Sequence, residues 1–178
     1  MNSPEGWRKG QSENFMKRQS DLITAISAVE PALRSLPRLD LAEFYMSRAM
    51  YHEAKSVTEL MLSDPLNKEE SGALILHAIA SILIGRPAQG LKDLANPVIG
   101  NSHDSQLWKA LAYARQGKWA DAREKFKNVE FAIASLPLDI QRIVTMDAMR
   151  WMSSGREAMA NSTFLNFSRA SAHLPCRA

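Results

Sequence analysis

One pattern recurs along this chain of 178 residues and limits its fold more than any other feature: a run of small and aromatic residues at helical spacing, a break, and a second such run. In the segment 106–126, apolar or small residues fall at Leu107, Ala110, Leu111 and Tyr113, Gly117 interrupts, and Ala120, Ala122 and Phe126 resume the pattern at helical spacing. The reading is helix, tight turn, helix. Residues 39–65 repeat the design, with Leu41, Ala42 and Tyr45 before a turn at 49–51, Ala54 and Leu60 after it, and Pro65 as the stop. Two further units follow when the turn glycine is the ruler: Leu74, Ala78, Gly85, Pro87 and Leu91, then Val144, Ala148, Trp151, Gly155 and Ala158. Pro87 is compatible with a helix because it falls in the first turn. Pro31 lies 34 residues before Pro65, so an earlier helix is expected over 13–28, with Phe15, Leu22, Ile23, Ile26 and Val29 as its apolar side.

Composition agrees with the pattern. Alanine occurs 24 times and leucine 19 times, against five valines and four threonines, which favours helix and argues against an all-β fold. With 46% hydrophobic and 23% charged residues, the chain can bury a sizeable core. The expectation is an all-α solenoid of seven or eight stacked antiparallel helices over 13–170, without a sheet, flanked by irregular segments at 1–12 and 171–178. The longest loop is expected at 96–105, around Pro97, Gly100 and Asn101. A lone hairpin buries too little apolar surface, so the units must stack.

The order Ala110, Tyr113, Gly117, Trp119, Ala122, Phe126 resembles the tetratricopeptide repeat, and Ala42, Tyr45, Tyr51, Ala54 resembles it nearly as well. The unit around Gly85 departs from that pattern, with Ser81 where an aromatic is usual and Gly90 where the second small residue is expected. Residues 98–141 are also similar to a segment of long, repeat-rich bacterial proteins, so further repeats of a longer chain are one conceivable neighbour. The resemblance implies a concave face lined by the first helices. Carried over position by position, that groove comprises Leu39, Glu43 and Met46, then Ile75, Ile79 and Ile82, then Leu107, Leu111 and Arg115, then Thr145, Met149 and Met152. Such a groove suits a protein or peptide partner with an apolar helical or extended segment. The competing reading makes the same side chains core, covered by neighbouring helices.

No residue pattern points to catalysis. His52, His77, His103 and His173 lack the i, i+4 spacing of a helical metal pair, and His77 reads as a hydrogen-bonded packing residue. Asp104 reads as a helix cap, and Glu69, Glu70 and Asp139 as residues that favour helix starts. The sequence has no phosphate loop, dinucleotide fingerprint or nucleophile elbow. The expectation is therefore a non-enzymatic scaffold with no cofactor and no metal. Net charge is +3. The basic run Arg115, Lys118, Arg123, Lys125 and Lys127, with Tyr113 and Trp119 between, is the one candidate for an RNA surface. Asp121 and Glu124 interleave it, which favours a solvated face and makes nucleic acid the second choice. A helical accessory part of a larger enzyme is the third. The longest apolar stretch, 73–84, falls short of the roughly 20 residues that span a bilayer, and the first fifteen residues have no secretory pattern, so a cytoplasmic location is the default expectation. The single Cys176 cannot form an internal disulfide. Self-association is expected if apolar residues at the ends of the stack, including Phe164 and Phe167, are uncovered.

Overall fold

The computed structural model describes residues 14–67, 69–126 and 130–153. The expected boundaries at 12 and 170, the turn at Gly155, and Phe164 and Phe167 lie outside them. The described chain is helical throughout, with no strand. The α-helices are α1 (Phe15–Ala28), α2 (Ser35–Ser47), α3 (Tyr51–Ser63), α4 (Glu70–Leu83), α5 (Pro87–Leu94), α6 (His103–Arg115), α7 (Trp119–Lys125), α8 (Glu130–Ser135) and α9 (Leu138–Ser153). Nine helices thus stand among the described residues where seven or eight were expected, because the second helix after Gly117 is followed by a separate short helix, α8.

Three hairpins, α2/α3, α4/α5 and α6/α7, close with the same backbone motif. Ala49, Gly85 and Gly117 have φ of 57°, 84° and 72°. Around each, one N–H reaches back to the third-last helical carbonyl: Met50 to Tyr45 at 2.9 Å, Arg86 to Ser81 at 2.8 Å, and Lys118 to Tyr113 at 3.0 Å. The residue with positive φ donates to the next carbonyl, as Gly117 does to Ala114 at 3.0 Å. This is the Schellman arrangement, which satisfies two carbonyls that a helix end leaves open. Ser81 therefore keeps the turn although it lacks the aromatic ring, because the turn uses its carbonyl.

Within each hairpin both helices bury small residues. Ala42, Ala54, Ala78, Ala110 and Ala122 have no exposed surface. Gly90 takes the place of Ala54 and Ala122 on the second helix, and a Cβ built there would stand 2.8 Å from the Ala78 carbonyl oxygen and 2.5 Å from Ile82 Cγ1. The departure at Gly90 is thus what lets α5 lie this close to α4. Successive hairpins join through α3 against α4 and α5 against α6, while the first helices also touch one another, α2 to α4, α4 to α6 and α6 to α9. One apolar cluster runs from Leu22 of α1 to Val144 of α9, so the units share a continuous core. At the start, α1 docks on α2 through Phe15 stacked on Phe44 at 5.4 Å and through Gln19, whose Nε2 donates to the Tyr45 hydroxyl at 2.9 Å. The side chains of Met16 and Ile23 remain exposed on α1.

The junctions between hairpins are less uniform. Pro31–Leu33 and Pro97–Ile99 are short 3₁₀ turns. The expected loop at 96–105 is accordingly shorter, because α6 begins at His103. Ser102 caps it by accepting from the Ser105 N–H, so Asp104 lies in the first turn and is not the cap. Pro87 opens α5, and α3 ends at Ser63, two residues before Pro65, both as the sequence implies.

Candidate functional site

The inner-face residues do not form an open groove. Leu39, Met46, Ile79, Ile82, Leu107 and Leu111 are all buried, with Ile82 and Leu111 at 0% exposure. Bulky side chains at these positions bridge α2, α4 and α6, and Leu136, Ile140 and Val144 from the α8–α9 region enter the same cluster. Burial of this apolar surface within the chain outweighs leaving it for a partner, at about 25 cal/mol per Å². Thr145 is buried as well. Ile75, Glu43 and Arg115 are only partly covered, and the side chains of Met149 and Met152 lie outside the described set.

Arg115 is a tie between helices. Its Nε donates to Asp147 Oδ2 of α9 at 2.7 Å, and its guanidinium also donates to the Ile82 carbonyl at the end of α4. That use removes it from the basic run considered for RNA. Tyr113 and Trp119 pack against the core, with Lys118 over the Tyr113 ring at 5.9 Å, so neither ring is a free stacking platform. Glu43 has the opposite character: burial, and then the neighbouring Asp40 carboxylate, push its carboxyl up to about 7. Burial likewise pushes the Tyr51 hydroxyl up to about 12, with Asp139 adding to the rise and Arg115 opposing it.

A second polar group crosses α3, α4 and α5. His77 Nδ1 lies 2.7 Å from Asp93 Oδ2, its Nε2 lies 3.5 Å from Glu59 Oε1, and Lys55 donates to Glu59. The hydrogen bond from Lys55 holds the Glu59 carboxyl below its usual value. His77 is a packing residue with a polar partner, as the sequence suggests. Ser81, one turn along α4, is fully buried and its hydroxyl has no hydrogen-bond partner. With His77 and Ser81 both shut away from solvent, the group is a clasp joining three helices. No cluster of three or more His, Cys, Asp or Glu able to hold a metal ion occurs among the described residues.

An accessible concavity lies between the N-terminal halves of α4 and α6, with a volume of about 380 Å³. Its floor is apolar. Ile75, Leu76 and Ile79 come from α4, Trp108 from α6, and Leu94 from the end of α5. Val98 and Ile99 of the 3₁₀ turn and Leu136 complete the wall, with Val98 55% exposed. The rim is polar because helices begin there: Glu69 and Ser71 at the start of α4, and Ser102, Asp104 and Ser105 at the start of α6. Burial raises the Asp104 carboxyl, and the neighbouring His103 opposes the rise. Of the residues expected to line a groove, only Ile75 and Ile79 belong to this cleft. Trp108, Leu94, Val98 and Leu136 escaped the sequence reading because each looks like an ordinary core or loop residue. The junction 96–105, flagged by Pro97 and Gly100, was the one signal near it. No helix among the described residues is long and apolar enough to cross a membrane. Comparison with protein-family models, with curated proteins and with solved structures finds no match to this chain.

Proposed function

We propose that this chain is a non-enzymatic protein-interaction module of tetratricopeptide type. The observation that carries the reading is the threefold recurrence of one hairpin, in which each helix buries a small residue and a Schellman turn joins the two helices. Stacked hairpins of this kind act by presenting surfaces, and the polar side chains described above serve as ties and caps. The cleft between α4 and α6 is the docking site the proposal assigns, in place of the wide groove. Its volume falls in the range of sites that hold a bulky side chain or small ligand, roughly 300–1,000 Å³.

Selection of a random peptide library displayed on phage against the folded chain tests this. The expected result is enrichment of a family of related peptides whose binding perturbs the amide signals of Ile75, Val98 and Ser105 in two-dimensional NMR. A selection that enriches nothing over several rounds would overturn the proposal.

A further inference from the structure

We infer that the cleft between α4 and α6 takes a peptide segment in which an apolar side chain enters the pocket and an adjacent Lys or Arg lies against Glu69 and Asp104. The inference rests on the module reading and names the chemistry of the partner.

Ile75 and Trp108 make a floor with no polar side-chain atom except the indole N–H, so the part of a ligand that enters must be apolar. Val98 leaves an exposed apolar edge at the mouth, available for a partner to cover. The charge at the mouth decides what can flank that apolar group. Two helix N-termini meet there, each equivalent to roughly +0.5 of a charge, and alone they would favour an anion. Glu69 and Asp104 place two carboxylates on the same rim, and neither makes an ion pair with a described residue. Two full negative charges outweigh about one positive charge, so the rim repels phosphate or an acidic peptide and attracts a cation. The raised Asp104 carboxyl is consistent with a group that burial has deprived of solvation, and an incoming ammonium or guanidinium would restore the lost stabilisation. Contacts of this sort at the edge of an apolar pocket give selectivity and salt dependence more than raw affinity.

The test uses the full chain and three short Gly/Ser peptides that differ only at the centre: Lys-Leu-Lys, Glu-Leu-Glu and Lys-Ser-Lys. Binding is followed by NMR through the indole N–H signal of Trp108, which reads the pocket at millimolar affinity. The expected result is saturable movement of that signal with the Lys-Leu-Lys peptide and at least tenfold weaker binding of the other two. Val98→Arg, at an exposed position, should weaken the Lys-Leu-Lys peptide at least tenfold by placing a like charge at the mouth, while Glu69→Gln should weaken it about threefold. Equal binding of the Lys and Glu peptides, absence of any binding by the Lys-Leu-Lys peptide, or an unchanged affinity in Val98→Arg would overturn the inference. Failure of the two readings is distinguishable. Peptides that enrich in display but perturb signals away from the cleft sink this inference and leave an interaction module, whereas a selection with no enrichment sinks the module itself.

Discussion

The two ends of the stack are built on different terms. At the end where hairpins close, Ala49, Gly85 and Gly117 reproduce one turn with the same hydrogen bonds, and Ala42, Ala78 and Ala110 on the helices that lead into them are fully buried. At the end where one hairpin passes to the next, the junctions vary: 3₁₀ turns before α2 and α6, only the second capped by a side chain, that of Asn96, then Asp64 and Pro65 before α4, and α8 before α9. Leu33, Leu66 and Val98 leave apolar side chains exposed in these junctions, and Leu138 does so at the start of α9. The closing turn is a local solution, so every repeat finds it again. The junction must fit whatever hairpin comes next, and its irregularity is what opens the cleft beside Ile99.

If the closed end depends on interhelix contact, enlarging a small residue there should be the most damaging change. Ala122→Leu is expected to cost about 2–3 kcal/mol by overpacking against the helix that carries Ala110. Chemical denaturation of variant and parent checks it, and coincident midpoints would mean the helices are not in contact.

The inner face supplies a pH test. Glu43 binds its proton more tightly when folded, because its carboxyl is raised from 4.5 to about 7. A raised acid contributes stability below its unfolded value, and that contribution is lost as pH rises from about 4.5 through about 7. Glu43→Gln should therefore gain about 1–2 kcal/mol over the parent at pH 8 and little at pH 4, discounting for partial exposure. A stability difference that does not vary with pH would show that Glu43 is solvated.

Gly90→Ala sharpens the comparison between units. Alanine favours helix by about 1 kcal/mol, yet its Cβ would meet a backbone carbonyl that cannot move aside, so the net change is expected to be a loss of about 1 kcal/mol. A gain in thermal midpoint would show that α5 can slide on α4. At the turns, Gly117→Ala should cost about 1 kcal/mol and Ala49→Gly should gain about 0.5 kcal/mol, since the left-handed backbone is strained for alanine. Opposite signs from calorimetry are required if the two turns are equivalent. The smallest effect belongs to the irregular end, where Val98→Ser should change stability by less than about 0.5 kcal/mol. A larger loss would place Val98 in the core and close the cleft.

Residue spacing was enough to reveal the hairpins, their turns and the buried small residues, because these depend on neighbours within about one hairpin of sequence. Ala42, Ala78 and Ala110 stand seven residues, about two helical turns, before Ala49, Gly85 and Gly117, so one short pattern carries both the buried small residue and the cap. Pro87 and Pro65 declared a start and a stop through the geometry of their own backbone. The fate of the inner face was not legible in the same way. Ile79 and Leu111 satisfy an apolar helical period whether they face a groove or a neighbour, and only the packing of α2, α4, α6 and the α8–α9 region onto one another buried them. Arg115 looked like a surface cation until the fold brought Asp147 and the Ile82 carbonyl to it. Local backbone chemistry thus determined the repeated unit from the sequence alone. The cleft, by contrast, lies where Glu69, Trp108 and Leu136 converge across long separations, and such convergence exists only once loop closure and burial have placed the helices side by side.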